Sequence, residues 1–467
     1  MRVLFFILMA FGLSVGFAQN KQLIYGWETI PQSLLVNPAT RMPQKMHFGI
    51  PFLSQIHLNG GASGVSVFDI FQEGGDINAR IESKIFEMTP NDFFTVTQQL
   101  EIINFGWRAN NEMYFSGGIY QEFDFIAYFP RDLAILAWEG NATNLDYPFD
   151  LGQISLRGDA LTVYHFGVNK DITKRLTVGV RAKLYSSLAS VSSVDNQGTF
   201  TTTLGGPESE NIYEHRIDNA NIAVRTSGIS SIDENTTGGD ILSRAFFGGN
   251  MGVGVDLGAT YDITPKITAS ASVVDLGTIF HSKDVESYTA RGDYVLDGIE
   301  LIFPPLSDGD TTLPYYDNLE DEIISELAYD TINVRYSELR PLKINGSVQY
   351  NFGKAVGNSQ ECDCRNMGGR TTTEQAVGLQ YFSVFRPKGP QMAGTLFYRR
   401  RIFQFLDAKA TYTVDPYSAS NVGIGVVGDI GKFNFYVAAD NVLSYGNIAK
   451  AKSVSLQLGF NIKIDEE

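Results

Sequence analysis

The sequence predicts an all-β protein, a transmembrane antiparallel β-barrel of about fourteen strands. Apolar and polar residues alternate along most of the chain, as in strands that have one apolar and one polar face. The chain opens with an export signal. No later segment is continuously apolar, and the mean hydropathy is near zero, as expected when alternation averages the hydropathy of barrel strands.

The last segment of the chain shows the alternation most clearly. In SVSLQLGFNIKID every second residue from Val454 to Ile464 is apolar. Residues 176–184, 251–261 and 342–352 repeat the pattern. A soluble β-sandwich or propeller would also alternate. A barrel accounts better for the charged residues on the polar face, which we expect to line the lumen: Arg181, Lys183, Asp256, Asp275, Lys343, Asp407 and Lys409.

Short turns and long loops give the expected barrel an orientation. The predicted strands lie near residues 60–70, 101–109, 112–124, 160–168, 176–190, 247–261, 266–276, 343–352, 374–386, 391–399, 404–414, 420–430, 432–442 and 452–464. With this order the short turns, including NKDITK, DITPK and GDIGK, all fall at the end that we expect in the periplasm. The long segments 191–246 and 277–341 then fall outside the cell.

The first 18 residues predict a signal peptide. Arg2 precedes an apolar run from Val3 to Val15, and the small residues Gly16 and Ala18 follow at the positions that a signal peptidase reads. A retained membrane helix is the alternative, but the run is shorter than the ~20 residues that a span needs. We therefore expect cleavage after Ala18 and export to the bacterial outer membrane, with lipid around the barrel.

A resemblance to a known family rests on the triplet Asn37, Pro38 and Ala39. An NPA triplet near the mature N-terminus, followed by about fourteen strands, resembles the FadL-type outer-membrane transporters and their PorV-type relatives. The resemblance implies that residues 19–58 form a hatch inside the lumen and that residues 59–467 form the barrel. A plain Asn-Pro turn is the alternative reading of the triplet.

The chain also resembles uncharacterised barrels of the same superfamily from bacteria with type IX secretion. The resemblance rests on LVNPATRMPQKMHFGIPFL near the start, VVDLGTIF and GDYVLDGIEL in the middle, and AADNVLSYGNIAKAKSVSLQLGFNI at the end. It implies two roles from different classes. The first is passive transport of hydrophobic or amphipathic small molecules, as in the FadL type. The second is a structural or adaptor subunit that binds another outer-membrane protein in export or surface attachment, as in the PorV type.

Enzymatic and nucleic-acid-binding functions are not expected. The five histidines have no metal-ligand spacing, and no GxSxG, HExxH or P-loop pattern occurs. Only His165 is expected in the lumen, where a lone histidine is a hydrogen-bonded wall residue more often than a catalyst. The net charge of −16 opposes binding to phosphates. We therefore expect no catalytic residue, no cofactor and no nucleic-acid partner.

Two local features could bind ions. Cys362 and Cys364 lie in an expected periplasmic turn, where a local disulfide is favoured over a soft-metal site or thiol exchange. The acidic loop at 307–326 is a weak Ca²⁺ candidate through Asp308, Asp310 and Asp317. Solvated charge is the simpler reading of this loop, because its spacing misses the EF-hand register.

Overall fold

The computed structural model describes residues 22–207, 212–232, 236–296, 330–355 and 373–464. The expected signal peptide, both cysteines, the acidic loop with Asp308, Asp310 and Asp317, and the residues next to them lie outside the described residues.

The described chain is dominated by β-strands. In chain order they are β1 (Met46–Gly49), β2 (Ile56–Ala62), β3 (Phe93–Asn110), β4 (Met113–Tyr128), β5 (Phe149–Asp150), β6 (Leu156–Asp171), β7 (Leu176–Ser193), β8 (Gln197–Leu204), β9 (Tyr213–Ser227), β10 (Asn250–Thr264), β11 (Ile267–His281), β12 (Val285–Leu296), β13 (Asp330–Ile332), β14 (Tyr336–Leu339), β15 (Lys343–Ala355), β16 (Thr373–Arg386), β17 (Gly389–Phe403), β18 (Leu406–Val414), β19 (Asn421–Ile430), β20 (Phe433–Asp440) and β21 (Ser453–Ile464).

Fourteen antiparallel strand positions close into one barrel. β1 and β2 share the first position, and β3, β4, β6, β7, β10, β11, β15 and β16 to β21 follow in order. The ring closes because β21 pairs with β1 and β2, which pair in turn with β3. The predicted fold class is confirmed, and the sandwich and propeller alternatives are excluded.

The two faces of the wall differ in polarity. Large apolar side chains are exposed on the outer face along the strands, including Val253, Leu276, Val348, Leu379, Leu396, Ile424 and Val437. The alternate residues of the same strands point inward and are mostly polar and buried, such as Thr177, Asp256 and Thr395. Near one end of the barrel the outer face carries stacked rings of Phe105, Trp107 and Phe115. This pattern is typical of a wall that faces hydrocarbon outside and a polar lumen inside.

The two ends of the barrel also differ. At one end, called the turn end here, the connections within the described residues are turns of two to four residues, including the predicted NKDITK, DITPK and GDIGK turns. The other end, the loop end, carries the long connections. There β5, β8, β9, β12 and β13 form an additional sheet, which joins the barrel where β9 pairs with β7.

Helices in the described chain are short. The α-helices are α1 (Val67–Phe71), α2 (Ile77–Glu87), α3 (Arg131–Glu139) and α4 (Gly238–Ser243), all at the loop end. 3-10 turns lie at Pro31–Leu35, Leu151–Gln153 and Val442–Lys450, and a π-type turn lies at Arg244–Gly248. Among the described residues, no helix is long and apolar enough to cross a membrane.

The first strand lies earlier in the chain than expected. Residues 46–49 and 56–62 form the wall, whereas the sequence predicted a strand at 60–70 and a hatch that continued to residue 58. Six residues, 50–55, interrupt the strand and hide its alternation. Residues 67–71 are instead helical, because Ser66 and Asp69 form a reciprocal capping box at the N-terminus of α1.

A charge on the outer face should destabilise the barrel according to its depth. Leu379, in the middle of β16, has 64% of its surface exposed, and Leu379→Arg should lower the free energy of unfolding by about 2–4 kcal/mol. Phe433, next to a turn and 60% exposed, is the matched control, because Phe433→Arg should cost only about 0–1 kcal/mol. Urea unfolding in lipid vesicles measures both values. Equal losses at the two positions would contradict a central hydrocarbon belt.

Candidate functional site

A segment that precedes the wall lies inside the barrel. Residues 22–44, called the luminal segment here, are mostly buried, and Tyr25, Trp27 and Ile30 are among the most deeply buried large side chains of the described protein. Ile24, Trp27 and Ile30 pack against Val427 and Tyr436 of the inner wall. The segment therefore occupies lumen that a fourteen-stranded wall cannot fill with its own side chains, since about eight strands is the limit for that.

The triplet Asn37, Pro38 and Ala39 lies against two glycines of the wall. Gly179 of β7 and Gly258 of β10 are paired across their strands, and both face inward. A Cβ atom at Gly179 would overlap Pro38, and one at Gly258 would overlap the side chain of Asn37. The triplet can approach the wall only because both positions lack a side chain.

Local hydrogen bonds give the triplet its shape. Asn37 Oδ1 accepts a hydrogen bond from the backbone N–H of Ala39 at 2.9 Å, which forms an Asx turn. Thr260 Oγ1 donates to the carbonyl of Ala39 at 3.0 Å, and Ser272 Oγ donates to the carbonyl of Val36 at 2.6 Å. The Asn-Pro turn considered from sequence is thus present, and it is bonded to the inner wall.

Two buried cations hold the main chain of the luminal segment. Arg181 donates to the carbonyls of Leu34 and Leu35 at 2.6 and 2.7 Å, at the end of the 3-10 turn Pro31–Leu35, where carbonyls lack helical partners. Its Nε donates to Asp256 at 2.7 Å. Lys409 donates to the carbonyl of Tyr25 at 3.0 Å.

Side chains of the luminal segment also bind the wall near the turn end. Arg41 donates two hydrogen bonds of 3.0 Å to Asp262, and its Nε donates to Thr177 at 2.7 Å. Trp27 Nε1 donates to Asp407 at 3.3 Å. Arg41 was not among the residues singled out from sequence, because the segment around it has no strand alternation that would assign it a direction.

Charged side chains of the wall form one connected set, called the charge network here. Lys183 bridges Asp256 at 3.0 Å and Asp275 at 2.5 Å. The set continues from Asp275 through Lys343, Glu122, Arg340, Asp159 and Arg157 to Glu338, with N···O distances of 2.8 to 3.6 Å. Because Arg181 also pairs with Asp256, the network reaches the luminal segment directly.

The structure separates the seven charged residues chosen from sequence into two groups. Arg181, Lys183, Asp256, Asp275 and Lys343 belong to the charge network, whereas Asp407 and Lys409 contact the luminal segment elsewhere. Sequence reasoning missed other members of the network. The alternation in β4 could have identified Glu122. Arg340 follows β14 in a connection without alternation, so no local pattern marks it.

A cavity of about 30 Å³ lies between the charge network and the luminal segment. Its lining includes Leu35 and Val36 of the segment, together with Gln99, Lys183 and Lys343 of the wall. This volume has room for about two water molecules, whereas an apolar cavity that binds benzene in another protein measures about 150 Å³. This cavity is therefore too small for a small organic molecule.

The described residues contain no group of three or more His, Cys, Asp or Glu side chains that could hold a metal ion. His165 lies on the inner wall of β6, with its ring centroid 5.6 Å from that of Tyr120. The weak Ca²⁺ candidate and the two cysteines stay predictions, since they lie outside the described residues.

Comparison with known proteins identifies one family and several solved barrels. The model of a family of unknown function, DUF5723, matches residues 38–440. No curated protein matches the chain in sequence. The chain is similar to the toluene transporter TbuX of Ralstonia pickettii, with 12% identity, a TM-score of 0.42 and coverage of 93% of this chain and 94% of that one.

Two further solved structures are similar at the same level. A FadL homologue of Pseudomonas aeruginosa has 9% identity, a TM-score of 0.43 and coverage of 97% of this chain and 100% of that one. The toluene transporter TodX of Pseudomonas putida has 10% identity, a TM-score of 0.38 and coverage of 96% and 98%. The resemblance to the PorV type and to barrels of bacteria with type IX secretion stays a prediction.

Loss of the Arg181 contacts should loosen the luminal segment without opening the wall. In the double variant Arg181→Gln, Asp256→Asn, the segment loses two charge-assisted hydrogen bonds of about 1.5–3 kcal/mol each, and no lone charge remains from the pair. A cysteine at the buried position Ala39, in a chain without Cys362 and Cys364, reports exposure by its rate of maleimide labelling. We expect labelling at least about tenfold faster, which corresponds to about 1.4 kcal/mol.

The matched control is Arg386→Gln, Asp124→Asn. This pair is also buried, at 2.8 and 2.9 Å, but makes no described contact with the luminal segment. Equal acceleration of labelling in both double variants would show that the hydrogen bonds from Arg181 do not specifically stabilise the position of the luminal segment.

Proposed function

The chain belongs to the family of unknown function DUF5723, and from the geometry of its lumen we propose that it is a gated passive channel of the bacterial outer membrane. The luminal segment, residues 22–44, is the gate. The permeant is a hydrophobic or amphipathic small molecule. The observation that supports the proposal is that residues 22–44 are mostly buried inside the barrel and are held there by side-chain contacts.

The luminal segment is held by contacts that can break while the strands of the wall stay paired, as a gate requires. Its contacts with the wall are non-covalent and include hydrogen bonds with Arg181, Lys409 and Thr260 and an ion pair with Asp262. The described segment is continuous with the wall only where β1 begins. The segment can therefore leave its position without breaking the pairing between wall strands. Individual hydrogen bonds contribute about 0.5–1.5 kcal/mol, or about 1.5–3 kcal/mol when one partner is charged, so a bound molecule can compensate for the loss of several.

The inner wall toward the loop end supports a permeant with an apolar part. Phe93, Ile126 and Tyr128 face inward and pack with Tyr417 from a loop. Phe382, Val384 and Ala393 form a second inward apolar cluster. A wide aqueous pore would expose charged groups, whereas the charged groups beside these clusters are paired with each other, Asp124 with Arg386 and Asp159 with Arg340.

The orientation follows from the two ends. The loop end carries an additional sheet and four helices, which are rich in polar residues, and we place it outside the cell. The turn end, with Arg41 near it, then faces the periplasm. A permeant enters between the loops, passes the cluster of Phe93, Ile126, Tyr128 and Tyr417 and reaches the gate, driven by its own gradient.

The experiment measures entry of the hydrophobic fluorescent probe N-phenyl-1-naphthylamine into Gram-negative cells that produce the protein. Gly258→Val inserts a side chain where Asn37 lies, so it should displace the gate and raise the entry rate above that of the wild type. Gly394→Val is the matched control, because no atom lies within 4 Å of a Cβ atom at this position, and its entry rate should equal the wild-type rate.

Cells without the protein give the baseline, which the wild type should exceed. The alternative role, an adaptor for another outer-membrane protein, has a different outcome. If Gly258→Val exposes a thiol at position 39 to maleimide yet admits no more probe than cells without the protein, the barrel is not a path for such molecules. An adaptor role for the loop end would then be the reading to pursue.

A further inference from the structure

A short piece of chain lies against the outer face of the wall toward the loop end. Residues 241–248, called the border segment here, comprise the end of α4 and the π-type turn that follows it. Ser186 Oγ donates to the carbonyl of Arg244 at 3.3 Å and accepts from the backbone N–H of Phe247 at 3.2 Å. Ser186 faces outward on β7, because the preceding residue, Tyr185, packs in the lumen. The border segment is therefore attached to the outer side of the barrel.

Strand geometry gives the height of this attachment. Leu176 is the first outward residue of β7 after the exposed charged residues Lys174 and Arg175 of the turn, and Ser186 lies farther along the same face. Strands tilted as in outer-membrane barrels rise about 2.5 Å per residue along the barrel axis, so positions 176 and 186 are about 25 Å apart in height. The apolar band of such a barrel is about 25 Å tall. Ser186 therefore lies where hydrocarbon meets the lipid headgroups.

The border segment exposes large apolar side chains at this height. Leu242 and Phe247 have 59% and 57% of their surfaces exposed, and Ile241 is exposed as well. The ring of Phe247 stacks on that of Tyr164, with the two centroids 4.4 Å apart. Tyr164 belongs to the outer face of β6, two residues before the exposed Phe166. The apolar outer face of the barrel thus continues onto the border segment.

The backbone of Phe247 has an uncommon conformation. Its φ of 77° lies in the left-handed region, which a bulky side chain rarely adopts. Such conformations persist where the surrounding contacts impose them, and here the backbone N–H is bound to Ser186. In water the ring would gain little from this placement, because 57% of the residue's surface stays exposed. Contact with lipid would remove that surface from water.

We propose that the border segment is a membrane anchor, in which Ile241, Leu242 and Phe247 insert into the lipid leaflet at the loop end, between acyl chains and headgroups. Aromatic side chains at this height are typical of membrane-interface girdles, and the opposite border already carries the stacked rings of Phe105 and Trp107. The anchor would fix the connection between β9 of the additional sheet and β10 of the wall. This inference does not depend on the proposed channel function.

The charged groups beside the border segment indicate what would attract it to lipid. Arg244 lies 3.7 Å from Asp284, and Lys283 donates to the carbonyl of Gly248 at 2.9 Å. Asp240 caps the N-terminus of α4. Because two cations and two anions lie together, the attraction should come from burial of apolar surface rather than from lipid phosphates. Insertion should therefore be equal in neutral and anionic membranes.

The test places a nitroxide spin label at position 242 of the full-length protein in phosphatidylcholine vesicles. The variant is Leu242→Cys in a chain whose Cys362 and Cys364 are replaced by serine. Collisions with oxygen, which concentrates among acyl chains, and with a water-soluble nickel chelate report the depth of the label. The oxygen-to-nickel ratio should be several-fold higher than at the matched control Leu204→Cys, which ends β8 of the additional sheet and is similarly exposed, at 63%.

A charge at the border distinguishes insertion from proximity to the membrane. With the label at Ile241→Cys, the further substitution Leu242→Asp should lower the oxygen-to-nickel ratio several-fold, because a carboxylate disfavours the acyl region. Leu204→Asp should leave that ratio unchanged. All of these positions are exposed, so the variants should fold, which the faster migration of a closed barrel in unheated electrophoresis checks.

Two outcomes would overturn the anchor. The first is an equal ratio at positions 242 and 204, or a ratio at position 241 that Leu242→Asp does not change. The second is a ratio at position 242 that rises only when anionic lipid is added, which would assign the border segment to headgroup phosphates instead of acyl chains.

Discussion

The hydrogen bonds that close the ring between β21 and the two-part first strand are the constraint on which the rest of this structure depends. In hydrocarbon an unpaired strand edge leaves N–H and C=O groups without partners, so only a closed ring is stable there. Closure also defines an inside and an outside. Once the ring is closed, each strand can place its apolar residues toward lipid and its polar residues toward the lumen.

A ring of fourteen strands creates a space that its own side chains do not fill. In the described part of the barrel the luminal segment occupies this space, and the charge network of the inner wall lies against it. Arg181 links the two, because its charge is balanced by Asp256 and its remaining N–H groups bind the carbonyls of Leu34 and Leu35. Displacement of the segment would therefore leave donors of a buried guanidinium without partners, which couples the position of the segment to the electrostatics of the wall.

The small residues of the wall are as important as the charged ones. Gly179 and Gly258 give the Asn37 turn its place, and Gly425 likewise lies against the ring of Trp27. A wall with side chains at these positions would hold the segment farther from the strands and weaken the bonds from Thr260 and Ser272. The close approach of the luminal segment to the strands thus depends on these glycines.

Strand alternation, which is a local property, could be read from the sequence. It predicted the barrel, nearly all of its strands and the short turns at one end. Alternation did not predict the position of the first strand, because residues 50–55 interrupt the period of two. Which inward residues meet was decided only by the tertiary structure. Arg181 is hydrogen-bonded to Asp256, which lies 75 residues later in the sequence, and Arg340 is hydrogen-bonded to Glu122, which lies 218 residues earlier. The relative height of two strands depends on the stagger of the whole closed ring, and no local stretch of sequence contains that information.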